Sequence, residues 1–136
     1  MQKCHVIFLD DPSPLRDHEG HESSYKGKFI QLHHDELGQI LVFATCELCT
    51  YHAQIMALFS SRQTPPWAFE INRRGDNGFL HESSSRIIGG GLFFLDPCAK
   101  QLELNGTSLA FGTYVAYPFS HQLENNPLLQ GYAVRC

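Results

Sequence analysis

Short stretches of alternating or continuous apolar residues run along most of the chain and predict β-strands. The residues between them are polar or turn-forming. Residues 13–27 predict a loop, residues 35–38 a hairpin connection and residues 73–78 a turn, and residues 83–85 continue as an irregular segment. The candidate strands are residues 6–9, 28–33, 39–44, 67–71, 92–95, 102–104 and 132–134.

One segment changes from the strand period to a helical period. Apolar side chains recur at helical spacing in Tyr51, Ile55, Leu58 and Phe59. Thr50 is the predicted N-cap of this helix, which ends before the prolines at 65 and 66. Ser120 predicts the cap of a short second helix that ends near Pro127. About six strands with one long and one short helix indicate an α+β fold: a mixed sheet in a single domain over residues 1–136.

Composition and charge narrow the functional classes. A chain of 136 residues suits one domain, and its net charge of −4, with ten Lys and Arg, argues against nucleic-acid and anionic-membrane partners. No apolar run approaches the roughly 18 residues of a membrane-spanning helix, and the start of the chain has no secretory pattern. Five irregularly spaced cysteines favour free thiols, so we expect a cytoplasmic protein.

His52, at the start of the long predicted helix, is the main candidate for a functional residue. With Thr50 as N-cap, the N–H groups of Tyr51, His52 and Ala53 lack helical partners and face an anion site at the positive end of the helix dipole. A histidine there titrates near neutrality and can take a proton from attacking water. The alternative is an ordinary amphipathic helix residue, which the local pattern taken alone favours.

Two glycine-containing segments allow alternative interpretations. Gly89, Gly90 and Gly91 permit an anion nest or close packing of another element, while a bulge or kink at a strand start is the plainer interpretation. Asn105-Gly106 usually signals a two-residue hairpin turn. The alternative is a strand that runs out into a loop at residues 108–110, whose N–H groups face a ligand.

Cys46, Cys49 and His52 are spaced so that they could ligate zinc or, for the two thiols, form a redox pair. A structural zinc site usually has a second, matching pair of ligands, and none accompanies this one. Two unrelated thiols near a helix start are therefore the favoured interpretation. A fourth ligand could come from His33, His34 or Asp35.

Three segments together resemble the phosphohistidine phosphatase family, which includes the Janus and Ocnus proteins. Residues 51–55, Tyr-His-Ala-Gln-Ile, are similar to the family's Tyr-His-Ala-Asp-Ile segment. Residues 89–91 resemble its triple glycine, and residues 105–112 resemble its Tyr-Gly-Tyr-Ser-Met-Ala-Tyr-Gly strand and loop. The order and approximate spacing of the segments agree, and the likeness extends over about the last two-thirds of the chain.

The resemblance implies a hydrolase that removes phosphate from phosphohistidine or a related phosphoramidate. His52 would activate water, or attack phosphorus directly as a nucleophile. No cofactor or metal is implied, and the expected partner is a phosphorylated protein or a small phosphoramidate. Lys28 is the candidate for the family's phosphate-binding lysine, with Lys3 as the alternative. The backbone amides expected to hold the phosphoryl oxygens are those of Tyr51, His52, Ala53, Ser108, Leu109 and Ala110.

The sequence also departs from the family pattern. Leu92 follows the triple glycine where the family has an arginine, and residues 39–44 lack the arginine of the strand before the helix. The segment 67–85 is longer than in the family, and its Arg73 and Arg74 are candidates to replace the missing charges. The alternative function is therefore a phosphate-binding or regulatory module of the same fold, without catalysis. Oligomeric state stays open.

Overall fold

A computed structural model of the chain describes residues 4–10 and 25–136. Lys3 and residues 13–24 of the predicted loop lie outside the described residues, so neither expectation is addressed. The described strands are β1 (Cys4–Phe8), β2 (Tyr25–His34), β3 (Gly38–Thr45), β4 (Ala68–Ile71), β5 (Gly78–His81), β6 (Ser85–Asp96), β7 (Gln101–Asn105) and β8 (Ala133–Arg135). The helices are α1 (His52–Ser61), α2 (Ser120–Glu124) and a 3₁₀ helix (Pro127–Leu129).

Six strands form one mixed sheet in the order β1-β3-β2-β6-β7-β8. The outer pairs β1/β3 and β7/β8 are parallel, and the three inner pairs are antiparallel. The predicted α+β fold, with one long and one short helix, is confirmed. Strand β2 begins at Tyr25, three residues before its predicted start, so Lys28 lies inside the strand rather than at its first position.

The two faces of the sheet bury separate apolar clusters, because successive side chains of a strand point to opposite faces. Strand β3 is apolar from Ile40 to Ala44 and contributes to both clusters, which explains its continuous apolar run. Helix α1 covers one face through Ile55, Met56 and Phe59. The C-terminal segment covers the other face with Phe119, Leu123, Leu129 and Tyr132.

Strands β4 and β5 form a separate two-stranded hairpin, which packs against the α1 side of the sheet. The sequence pattern predicted a strand near β4 and a turn at residues 73–78, but it missed β5. The reason is that β5 has only four residues, and its two apolar side chains, Phe79 and Leu80, are adjacent instead of alternating. Residues 83–85 were predicted as irregular, yet β6 already begins at Ser85.

The triple glycine at residues 89–91 lies in the middle of the 12-residue strand β6, not at a strand start. The alternative of a bulge is borne out beside it, since the register of β2 and β6 shifts between the pairs Gln31/Gly89 and Leu32/Ile87. None of the three has a positive φ, so backbone freedom is not what requires glycine here. A Cβ at the first glycine would overlap the Thr113 carbonyl, and a Cβ at the third would lie 3.0 Å from the Tyr114 ring. The glycines therefore allow the segment after residue 112 to lie directly on the sheet.

Asn105-Gly106 does not form a two-residue hairpin turn. Strand β7 ends at Asn105, Gly106 has a φ of 73°, and the chain continues into a loop that returns to β6. The N–H of Gly90 donates to the carbonyl of Gly112 at 3.1 Å. This contact brings the loop at residues 108–112 beside the start of α1. None of the described helices is long and apolar enough to cross a membrane.

Substitution of Gly90 tests this close packing. A Cβ at Gly90 would lie 2.5 Å from the Phe29 carbonyl oxygen and 2.9 Å from His52 Cδ2. We expect Gly90→Ala to lower the free energy of unfolding by about 1–3 kcal/mol through overpacking, measured by urea denaturation. Arg86→Ala, at an exposed position of the same strand, is the control and should change it by less than about 0.5 kcal/mol. Equal stability of Gly90→Ala and wild type would contradict the contact.

Candidate active site

A cavity of about 180 Å³ lies where the start of α1, strand β2 and the loop after β7 meet. Five of the predicted site residues line it, although up to about 80 residues of sequence separate them. Two further lining residues, Asp76 and Thr107, were not predicted. The predicted residues in the lining are Lys28, Tyr51, His52, Leu109 and Ala110.

The His52 ring is held in one orientation by a backbone carbonyl of the triple glycine. Its Nε2 lies 2.9 Å from the Gly91 oxygen, and the residue is only 5% exposed. A carbonyl oxygen can only accept, so Nε2 must carry the proton. In the neutral ring Nδ1 is then the basic nitrogen, and no described residue donates to it. His52 also lines the cavity, and its unprotonated Nδ1 is available to accept a proton.

The surroundings of His52 favour this neutral form. Burial lowers the pKa of His52 below the ordinary 6.5, and the ammonium of Lys28 lowers it further. The hydrogen bond to the Gly91 carbonyl acts in the opposite direction and raises the pKa, but it is the smaller effect beside burial. At neutral pH the ring is uncharged, which is the state a general base or a nucleophile requires.

Helix α1 begins one residue later than predicted, and this changes which amides are available. The N-cap is Tyr51, not Thr50. The side-chain oxygen of Gln54 accepts the N–H groups of Thr50 and Tyr51 at 2.8 and 3.0 Å, because Gln54 is the N3 residue of a capping box. The N–H of Tyr51 is thus engaged, while those of His52 and Ala53 donate to no described acceptor.

The loop at residues 108–112 is a tight turn closed by backbone hydrogen bonds. The N–H of Ser108 donates to the Gly112 carbonyl, and the N–H of Gly112 donates back at 2.8 Å. The hydroxyl of the buried Ser108 accepts the N–H of Phe111 at 3.1 Å. Ser108 therefore shapes the loop instead of offering its own amide. The N–H groups of Leu109 and Ala110 have no described acceptor and remain as donors at the cavity.

Buried Gln31 anchors the chain that follows this loop. Its Nε2 donates to the Val115 carbonyl at 2.9 Å, and its Oε1 accepts the Val115 N–H at 2.7 Å. The same Nε2 donates to the side chain of buried Gln39 at 2.7 Å. Such a satisfied buried network is rigid, because breaking it leaves several polar atoms without partners. The loop is consequently held in place from both of its ends.

Lys28 is the basic side chain of the cavity. It is half-buried in β2 and pairs in register with Leu92 of β6. Leu92 takes the position where the family pattern has an arginine, and its side chain is 42% exposed. Neither Arg73 nor Arg74 lines this cavity, so the structure does not place them as replacements for the missing charges there.

Asp76 and Thr107 are the site residues that sequence reasoning missed. Thr107 bonds through its hydroxyl to that of Thr113 at 2.9 Å, which ties the two ends of the loop together. Asp76 comes from the tip of the β4–β5 hairpin, which lies against the start of α1. The sequence signalled a turn at residues 73–78, but no sequence signal indicated that this turn folds back onto the helix.

The cysteines of the alternative metal or redox site near the start of α1 differ in their exposure to solvent. Cys46 is exposed, whereas Cys49 is buried in the apolar cluster under α1. Burial raises the pKa of the Cys49 thiol, which disfavours the reactive thiolate. Within residues 4–10 and 25–136, no three His, Cys, Asp or Glu side chains form a group that could hold a metal ion.

No model of a known protein family matches the chain, and no curated protein is significantly similar to it. The resemblance to the phosphohistidine phosphatase family therefore rests on the three short segments, two of which contribute residues to the cavity. It remains a prediction.

The protonation of His52 can be measured directly. Since its folded-state pKa is depressed, neutral His52 contributes stability that is complete above pH 6.5 and is lost as the pH falls from 6.5 through the folded pKa. We expect urea denaturation to show a larger loss of stability on acidification for wild type than for His52→Ala. An NMR titration should give a ring pKa below 6.5 with the proton on Nε2. A ring pKa above 6.5 would contradict this account of its surroundings.

Proposed function

We propose that this chain is a phosphoramidate hydrolase of the phosphohistidine phosphatase type, acting on a phosphorylated protein side chain or a small phosphoramidate. The observation that carries the proposal is the state of His52. Its Nε2 is committed to the Gly91 carbonyl, so its Nδ1 is a neutral base at a cavity that also contains Lys28. Four backbone N–H groups without described acceptors, from residues 52, 53, 109 and 110, complete an anion-binding arrangement.

The proposed reaction follows from these positions. A water oxygen attacks phosphorus, and His52 Nδ1 takes a proton from that water as the new P–O bond forms. The P–N bond breaks on the opposite side and its electron pair goes to the leaving nitrogen, which takes a proton from solvent there and departs as a neutral amine or imidazole. His52 then releases to solvent the proton that it took from the attacking water, and the ring is neutral again. The four amides and the Lys28 ammonium stabilise the negative charge spread over the phosphoryl oxygens. No residue in this scheme must move, because the loop and the helix start are both anchored.

Direct attack by His52 is the variant of this reaction that differs in its intermediate. In that case Nδ1 bonds to phosphorus, the P–N bond to the leaving group breaks, and water later hydrolyses the phosphorylated ring. The same residues serve both routes. Only the covalent route gives a phosphorylated His52 that mass spectrometry can detect in the wild-type protein during turnover.

A second candidate function is a phosphate-recognition module without catalysis. The observation that favours it is the charge balance of the cavity, where Lys28 is the basic residue of the lining and Asp76 opposes it. Leu92 leaves an apolar side chain where a second cation would strengthen charge stabilisation. A module of this kind would bind a phosphorylated partner and release it unchanged.

Replacement of His52 separates the two functions. His52→Gln keeps an N–H donor for the Gly91 carbonyl but cannot accept a proton, so we expect its fold to persist and hydrolysis of phosphohistidine or phosphoramidate to fall by roughly 10²–10⁴-fold. The hydrolysis rate of His52→Ala should fall at least as far as that of His52→Gln. In wild type the acid limb of kcat/KM should lie below pH 6.5, following the lowered pKa of His52.

Two outcomes would count against catalysis by His52. Phosphate release that persists at the wild-type rate in His52→Gln would remove His52 from the mechanism. Phosphate binding in wild type without any phosphate release would favour the recognition module instead.

Lys28 offers a matched pair of substitutions on one strand. Lys26 lies two residues earlier on the same face of β2 but does not line the cavity. We expect Lys28→Ala to weaken binding of inorganic phosphate by about tenfold, the usual contribution of one hydrogen bond to a charged group, measured by calorimetry. Lys26→Ala should leave the affinity within about twofold, since an exposed charge is screened. Equal losses in both variants would mean that only net charge matters and would contradict the role of Lys28.

A further inference from the structure

Asp76 is an unexpected residue in a cavity suited to an anion. A carboxylate repels a phosphoryl group, so its presence weakens phosphate binding unless the ligand also brings a positive or hydrogen-donating group. Asp76 nevertheless lines the same cavity as His52 and Lys28. The structure therefore contains a second, opposite charge at the place where a phosphoryl group would bind.

The hairpin tip holds Asp76 in a fixed position. The side-chain amide of Asn72 donates to Asp76 Oδ1 at 2.7 Å, and the Asn72 side-chain oxygen accepts the backbone N–H of Asp76 at 3.1 Å and of Asn77 at 3.2 Å. Gly75 lies against Gln54 of the α1 capping box, since a Cβ on that glycine would be 3.4 Å from Gln54 Nε2. The carboxylate is thus preorganised beside the helix start and not on a free-moving loop.

A second cavity of about 260 Å³ continues outward from the first. The two share Tyr51, Asp76, Leu109 and Ala110, so Asp76 stands at the junction between them. A phosphoryl group in the inner cavity would direct its leaving group past Asp76 into the outer one. The leaving group is consequently the part of a substrate that meets the carboxylate.

Arg74 does not permanently neutralise Asp76. Its Nε lies 3.6 Å from Asp76 Oδ2, and its side chain is 82% exposed, in the outer cavity. An ion pair that open to solvent contributes little, because water and salt screen it. The carboxylate therefore keeps the capacity to accept a hydrogen bond from a ligand.

We propose that Asp76 selects ligands in which a nitrogen within three bonds of phosphorus can bear a hydrogen, and that it makes phosphate esters and inorganic phosphate bind more weakly than such ligands. A nitrogen bearing hydrogen donates to the carboxylate while the phosphoryl oxygens meet Lys28 and the free amides. A bridging ester oxygen has no hydrogen to donate and leaves the carboxylate facing the anion. The proposal rests on the phosphate site proposed above, but it requires binding only and not turnover.

Two stable ligands of matched size test this selectivity. Aminomethylphosphonate carries an ammonium two bonds from phosphorus, and ethylphosphonate has a methyl group in its place. We expect calorimetry with the full chain to show wild type binding aminomethylphosphonate about tenfold more tightly, which is the usual contribution of one charge-assisted hydrogen bond. In Asp76→Asn the preference should disappear, because ethylphosphonate binds as well as before or better and aminomethylphosphonate binds more weakly.

Arg74→Ala is the matched control, since it removes a charge from the same hairpin tip but leaves the carboxylate. It should weaken both ligands to a similar degree, or aminomethylphosphonate less, and so keep the preference. Asp76→Asn retains an Oδ1 acceptor for Asn72, and urea denaturation of each variant checks that the fold is intact.

Three results would overturn the proposal: equal affinities in wild type, a preference that survives in Asp76→Asn, or no binding of either ligand by wild type. An inactive protein that still shows the Asp76-dependent preference would remove the hydrolase function and leave this inference standing. Hydrolysis without any such preference would remove this inference and leave the proposed hydrolase function standing.

Discussion

The hydrogen bond between His52 Nε2 and the Gly91 carbonyl is the interaction on which the site depends. It can form only because Gly90 has no side chain, which lets the ring approach β6 closely. The same glycine donates its N–H to Gly112 and so draws the loop after β7 against the sheet. The glycine segment of β6 therefore sets both the tautomer of the His52 ring and the position of the loop amides near it.

The glycines that permit this arrangement also lower the stability of the fold, because they contribute no apolar side chains at the centre of the sheet. The Gln31 network compensates by pairing buried polar atoms completely and fixing the chain beyond the loop. The capping box of Gln54 does similar work at the start of α1. These contacts satisfy the backbone groups of Val115, Thr50 and Tyr51. Of the amides left without a described acceptor, those of residues 52, 109 and 110 belong to residues that line the cavity, and that of Ala53 follows directly in the helix.

Much of the fold could be predicted from the sequence, because β3 is continuously apolar and α1 repeats at helical spacing. His52, Leu109 and Ala110, which line the cavity, were named from the sequence through the resemblance of short segments and the spacing between them. Other features depend on tertiary detail. The choice between Thr50 and Tyr51 as N-cap turns on where the Gln54 side chain reaches, and Asp76 reaches the cavity only because a hairpin with an unpredicted second strand folds back over the helix. The role of the triple glycine likewise comes from what packs on it, which a sequence pattern does not contain.

Because Nε2 is committed to a buried carbonyl, Nδ1 is the one ring nitrogen left to gain or lose a proton. His52 lines the cavity and is only 5% exposed, so a ligand bound there would cover much of the small surface through which the ring meets solvent. A proton taken up beneath such a ligand would exchange slowly with bulk water. The hydrogen bond thus couples the protonation state of His52 to the time for which a ligand stays bound in the cavity.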